Sequence, residues 1–388
     1  MRPPSSDADS SPEPSDSQLL DVTATLAEHA AEHDRTGDFP AKGIQVVHHA
    51  GLLTRTVGKR HGGAESGLTD TVRVLSALGQ GDPSVALISA MTLFAHAAQA
   101  RTGGWPAGLY AEVLAESATR PTLINALRVE PELGTPARGG LPATTARRTA
   151  DGWELTGHKI FSTGAVALRW MQVWARTDEE PVRTGAFLVR GDASGIAIDR
   201  TWSHLGLRAS RSDDVSFDRT PVVAALELAE PGPPGGDPGG LRAWNALGIG
   251  AIYLGVARAA RDWLTRYLQE RVPANLGRPL ATLARFQHEV GEIEAQLLTA
   301  STLLLTLAAA ADRGEADPVG PGLAKTIATR SAIDAVQRAV ALIGNAALTQ
   351  HNPLERHLRD VLCGRIHTPQ DDAVLGLAGR SILEGTTR

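Results

Sequence analysis

The stretch GWELTGHKIFSTGAVALRWMQVWARTD, Gly152 to Asp178, decides how this chain is read. Short runs rich in Trp, Val, Phe and Thr are broken by Gly and Asp. These are strand and turn signals at close spacing. The same texture returns in TGAFLVRGDASGIAIDR (Thr184–Arg200) and in DDVSFDRTPVV (Asp213–Val223), which reads as a closing strand. Residues 121–229 are therefore expected to form a compact β domain.

Working outward, the pattern becomes helical on both sides. LLDVTATLAEHAAEH (Leu19–His33) and the Ala/Leu-rich run Asp70–Ala100 place apolar residues three and four apart. Asp82-Pro83-Ser84 is a helix start, with proline suited to the first turn. After the β domain, ELAEPGPPGGDPGG (Glu227–Gly240) is too rich in Pro and Gly for either element and predicts a loop. Beyond it, Val290, Ile293 and Leu297 share one helical face, and Ile333, Val336, Val340 and Ile343 share another. The expected order is a Pro/Ser/Asp-rich tail (1–18), an N-terminal helical domain (19–120), the β domain (121–229), a linker (230–240) and a C-terminal helical bundle (241–388). The long apolar faces of that bundle predict a homodimer or homotetramer.

Composition narrows the function. The chain has 388 residues, a net charge of −5 and only 4% aromatic residues. Neither an electrostatic footprint nor stacking platforms for nucleic acid are present. The lone cysteine, Cys363, excludes an intrachain disulfide and a site of several thiolates, and fits a reducing cytoplasm. The N-terminal MRPPSSDADSSPEPSDSQ has neither a basic start nor an apolar stretch, so neither a signal peptide nor a membrane span is expected there.

Several segments in register resemble the acyl-CoA dehydrogenase superfamily of flavoproteins: RVEPELGTP (Arg128–Pro136), DGWELTGHKIFSTGA (Asp151–Ala165), HLGLRASRSDDVSFDRTPV (His204–Val222), YLQERVPANLGRPLATLARFQ (Tyr267–Gln287) and PLERHLRDVL (Pro353–Leu362). The fold implied is an N-terminal helical domain, a central β-barrel or sandwich and a C-terminal four-helix bundle. The cofactor implied is FAD or FMN. A flavin ring needs donors and hydroxyls along one edge and apolar cover on a face. Phe161, Ser162 and Thr163 supply an aromatic and two hydroxyls at a strand end. By resemblance, Thr163 lies near flavin N5 and Phe161 replaces the family's tryptophan. Val129 stands where a flavin-contacting threonine is common. Arg271 matches an arginine that reaches the flavin phosphates of a neighbouring subunit. Gly344 lies in VALIGN (Val340–Asn345), similar to the family's iQxxGG, with Ala341 for the glutamine and Asn345 for the second glycine.

The family's catalytic glutamate is not at either of its usual places. After Arg359-Asp360 its position holds Thr368, beside His367 and Pro369. The alternative position, on the first helix of the C-terminal bundle, holds Asn245. Neither side chain is a general base near neutral pH. The two-component flavin monooxygenase branch of the superfamily lacks this glutamate and carries a histidine here. That resemblance implies catalytic roles for His367, for His96 at the end of MTLFAH, and for Ser162, grouped to stabilise a flavin C4a-hydroperoxide. It also implies a small-molecule substrate and a separate flavin reductase. The alternative is an acyl-CoA or acyl-carrier-protein dehydrogenase with a relocated base, Glu130 being the candidate, or a silent partner subunit. Asp371 and Asp372 are expected as a solvated N-cap pair.

Overall fold

The computed structural model describes residues 14–133, 140–231, 237 and 240–385. The N-terminal unit comprises α1 (Asp16–Thr36), α2 (Ala41–His49), α3 (Leu68–Gly81), α4 (Pro83–Thr102) and α5 (Ala107–Ser117). Asp82 starts α4 as expected: its carboxylate accepts from the amides of Ser84 (2.9 Å) and Val85 (3.3 Å), and Pro83 occupies the first turn. Helix α1 begins at Asp16, ahead of the boundary expected at residue 19. Ser15 accepts from the amide of Gln18 and starts α1.

Strands β1 (Leu123–Leu127), β2 (Thr145–Thr149), β3 (Gly152–Ser162), β4 (Leu168–Thr177), β5 (Thr184–Arg190), β6 (Ile196–Asp199), β7 (Asp213–Pro221) and β8 (Ala224–Ala229) form one sheet. Its order is β6-β7-β3-β2-β4-β5-β8, with β1 parallel to β4. Alternation along β4 buries Met171, Val173, Ala175 and Thr177 on one face.

The C-terminal unit comprises α6 (Leu241–Glu270), α7 (Ala284–Asp312), α8 (Gly320–Ile343), α9 (Asn345–Leu348), α10 (Leu354–Leu362) and α11 (Asp371–Leu383). Helix α7, 29 residues long, is apolar enough to cross a membrane by length and composition, and it packs on α6 and α8 within the bundle. Helices α3 and α6 touch backbone to backbone. A Cβ at Gly79 would come 2.4 Å from the Ile252 carbonyl oxygen, and one at Gly255 would come 2.2 Å from that of Ser76. This close seat fixes the middle of α6, where Tyr253 sits 1% exposed.

Two local expectations change. Gln370, not an aspartate, precedes α11. Asp371 is ion-paired with Arg330 (2.9 Å) and accepts from Thr326 (3.2 Å), because α8 brings those groups against the first turn of α11. Gly134–Pro136 and most of the linker lie outside the described residues.

Candidate functional site

The end of β3 is the most heavily constrained turn of the sheet. Asn125 donates from Nδ2 to the Thr163 carbonyl (2.9 Å), and Thr163 Oγ1 lies 3.0 Å from Ser212 Oγ, which lies 2.9 Å from Ser210 Oγ. The Gly164 amide donates to the Ser210 carbonyl. Just before this turn, Phe161 adopts φ +56° and the residue is 53% exposed. A left-handed aromatic residue costs on the order of 1–3 kcal/mol and persists only where its surroundings demand it. The ring stands edge-on to Trp202 and His204, which stack at 3.6 Å between centroids.

Ser162 is buried, and among the described residues its Oγ has no hydrogen-bond partner. An orphaned buried hydroxyl beside an exposed aromatic face fits a planar cofactor with a polar edge. Val129 joins this group, its carbonyl accepting from the Ile160 amide at 3.0 Å. The structure thus brings Val129, Phe161, Ser162 and Thr163 together. Arg271 and Gly344 stand apart, at the C-terminal ends of α6 and α8. Arg271 is exposed, and among the described residues its guanidinium makes no hydrogen bond or ion pair. Gly344 has φ +61° with open space where a Cβ would point.

A second cluster surrounds His367. Tyr253 Oη and His367 Nδ1 are 2.5 Å apart. Helix α10 and a short turn over Cys363–Arg365 end just before this histidine, and Pro369 follows Thr368. Gly364 lies flat on the tyrosine: a Cβ there would be 3.1 Å from its ring. Lys325, fully buried, donates to the carbonyls of Gly364 (3.0 Å) and His367 (2.9 Å). Burial pushes the His367 imidazole down to about 4, and the Lys325 ammonium adds to the effect. Asn245 Nδ2 donates to the Thr368 carbonyl at 2.9 Å. The two positions where the resemblance sought a carboxylate are therefore in contact, and neither carries one.

The β3 turn and the His367 cluster are linked. The loop from Trp202 to Ser212 touches the β3 turn through Ser210 and Ser212, and it meets α10 where the Leu207 amide donates to Asp360 Oδ1 (2.7 Å). Arg359 donates to the Leu205 carbonyl (3.0 Å) and pairs with Asp34 of α1.

His96 does not join either cluster. It is fully buried between α4 and α5, and its Nδ1 lies 2.8 Å from Tyr110 Oη. Burial pushes it down to about 4. No hydrogen bond or ring contact among the described residues joins it to His367 or Ser162, because its face of α4 turns toward the Trp105–Tyr110 aromatics. Glu130 is equally removed from base chemistry. Lys159 Nζ lies 2.6 Å from Oε1, and the amides of Ala143 (2.7 Å) and Thr144 (3.0 Å) complete its shell. Burial works to raise this carboxyl, and those bonds outweigh it, leaving it below the usual range.

Sequence reasoning missed Tyr253, Lys325, Asn125 and the Trp202–His204 stack. A signal existed for Lys325. Lysine is rare here, at Lys42, Lys59, Lys159 and Lys325, and the last sits in an apolar helical run.

An exposed aromatic face and hydroxyls on a rigid turn suit a planar cofactor, and likeness to known proteins makes this one a flavin-dependent oxidoreductase. The N-terminal, middle and C-terminal domains of acyl-CoA dehydrogenase match residues 22–103, 129–220 and 247–371. YdbM of Bacillus subtilis (strain 168), which bears the acyl-CoA dehydrogenase name, is 34% identical over 89% of this chain and 90% of its own. The chain belongs to the acyl-CoA dehydrogenase family. It is also similar to L-evernosamine nitrososynthase of Micromonospora sp. (strain ATCC 39149 / NRRL 15099 / SCC 1413), at 30% identity over 94% of this chain and 89% of that protein. Among solved structures it resembles KijD3 in complex with FMN and dTDP-3-amino-2,3,6-trideoxy-4-keto-3-methyl-D-glucose, at 27% identity and TM-score 0.82, covering 95% and 94% of the two chains. The cofactor is FAD or FMN, as expected from the sequence.

Proposed function

We propose that this oxidoreductase acts as a monooxygenase that uses reduced flavin and dioxygen to place one oxygen atom on a small organic or biosynthetic intermediate. Reduced flavin supplies the two electrons; one oxygen atom goes to the substrate and the other leaves as water with the two hydrogens of the reduced flavin. A separate flavin reductase in the same cytoplasm would supply the cofactor, and the C-terminal bundle would pair copies into a dimer or tetramer.

The observation that carries this is the contact between Asn245 and Thr368 beside a neutral His367. Both places open to a carboxylate hold side chains that cannot take an α-proton, and Glu130 is saturated by Lys159 and two amides. The likeness to a nitrososynthase and to an FMN-bound protein supports the same chemistry. Phe161, Ser162, Thr163 and Val129 would hold the flavin ring, Arg271 a phosphate, and the open backbone at Gly344 its far end. His367 donates a hydrogen bond toward the oxygen being transferred. His96 has no part in this assignment.

His367→Ala tests it. Reduced flavin should still bind, while product formation falls by about 10²–10⁴-fold and hydrogen peroxide release rises, the effect of losing one positioned proton donor. Bleaching of bound oxidised flavin by a panel of acyl-CoA thioesters, undiminished in the variant, would reject the proposal in favour of a dehydrogenase.

A further inference from the structure

Tyr253 lies on α6, far in sequence from the loop it touches. Its Oη–H has one partner among the described residues, His367 Nδ1. The tyrosine is 1% exposed, and burial holds its phenol proton well above its ordinary range, with Cys363 and Asp360 adding to the effect. A buried hydroxyl that keeps its proton must donate it somewhere or leave it unsatisfied. Among the described residues, the acceptor offered is Nδ1. The imidazole can accept there only if Nδ1 carries no proton, which puts the ring proton on Nε2.

The loop is held so that this bond is not optional. Gly364 packs on the tyrosine ring at a distance that leaves little room for a side chain. Lys325 anchors the carbonyls on both sides of the turn, at Gly364 and His367. Asn245 anchors the next carbonyl, that of Thr368. Contacts from α6 and α8 therefore fix both the backbone and one ring nitrogen of His367. The other nitrogen, Nε2, has no hydrogen-bond partner among the described residues, and the residue is half-buried.

We infer that Tyr253 is a positioning residue: by donating to Nδ1 it locks His367 as the Nε2–H tautomer, so that the free nitrogen presents a hydrogen-bond donor, with Lys325 holding the loop that carries it. The consequence for chemistry rests on the monooxygenase proposal, since a donor rather than an acceptor is what a developing negative charge on oxygen requires. The tautomer itself does not rest on it.

The test is ¹⁵N NMR of the flavin-free protein labelled in its histidine rings, at neutral pH. Comparison with His367→Ala assigns the His367 signals. Wild type should show Nδ1 as an unprotonated acceptor and Nε2 as N–H. Tyr253→Phe should give a mixture of tautomers, and Lys325→Met should broaden the signals as the loop loosens. A wild-type ring protonated on Nδ1 would overturn the inference, and so would an unchanged Nε2–H tautomer in Tyr253→Phe. A second readout separates this from the functional proposal. In reduced-flavin turnover, Tyr253→Phe should lower the ratio of oxygenated product to hydrogen peroxide by about tenfold, the scale of one net hydrogen bond. If the tautomer shifts and that ratio stays unchanged, the role of Tyr253 stands and the assignment of His367 to oxygen transfer fails.

Discussion

Removing the cation from the buried Glu130–Lys159 pair should expose how this β domain is held together, and whether Glu130 is free for chemistry. Lys159 is fully buried, Glu130 is 2% exposed, and their charged atoms are 2.6 Å apart. In Lys159→Met the carboxylate keeps the amides of Ala143 and Thr144 and loses its counter-charge. Breaking one side of such a pair costs about 3–5 kcal/mol, and the two remaining amides place the expected loss near the lower figure, about 3 kcal/mol. The sign with pH follows from the carboxyl. In the wild type its folded value is depressed, so its contribution is present above the ordinary carboxylate range and is lost in acid. In the variant, burial without the cation raises the carboxyl, so the penalty is largest near pH 8 and shrinks as Glu130 takes up a proton. Urea unfolding at pH 5 and pH 8 measures both terms. The double variant Glu130→Leu with Lys159→Met should recover most of the loss, since no charge is left stranded. A penalty under about 1 kcal/mol, or one equal at both pH values, would refute the argument. So would a Glu130→Gln variant of unchanged stability that abolished acyl-CoA-driven bleaching, because Glu130 would then be a base and not a strut.

Asp360 should behave in the opposite sense: burial pushes its carboxyl up to about 7 against the Leu207 amide, so its stabilising share is full below about pH 4 and lost as pH rises toward 7. Asp360→Asn keeps the acceptor for the Leu207 amide, and it should raise the melting temperature at pH 8 while leaving it unchanged near pH 4. Arg271→Ala should weaken flavin binding by about 1.5–3 kcal/mol, roughly ten- to hundredfold, as expected for a charge-assisted bond to phosphate. Equilibrium dialysis showing unchanged affinity would remove Arg271 from the cofactor site.

What the sequence disclosed and what it hid divide along physical lines. Periodicity and punctuation are local, so the order of helices, β strands and helices could be read from runs such as Gly152–Asp178, and the start of α4 from Asp82-Pro83-Ser84. Phe161 and Ser162 could be placed at the end of a strand for the same reason, whereas Val129 follows β1 and was singled out only through the family resemblance. His96 was misplaced because its helix is apolar on nearly every side, and nothing in MTLFAH says which face meets α5. Tyr253 and Lys325 were hidden because their partners are 114, 39 and 42 residues away and two of the three bonds go to backbone carbonyls, which no residue identity advertises. Asp371 was taken for a solvated cap because its partner, Arg330, lies on another helix.

The environment around His367 also bears on which reaction the family scaffold performs here. A site that removes a proton next to a thioester needs a base whose conjugate acid titrates near the working pH. Burial drives carboxyls up, toward that range. Burial drives imidazoles the other way, and here it carries His367 to about 4, with Lys325 pushing in the same sense. An imidazole that weak is a poor proton acceptor at neutral pH, and its positive form is scarcely populated there. What remains useful is its neutral N–H. A donor held by Tyr253 and carried on a loop pinned by Lys325 and Asn245 is suited to a charge that develops on oxygen and needs no prior change in protonation. Burial shifts a carboxyl and an imidazole in opposite directions, so a histidine in this loop serves a different kind of chemistry from a carboxylate.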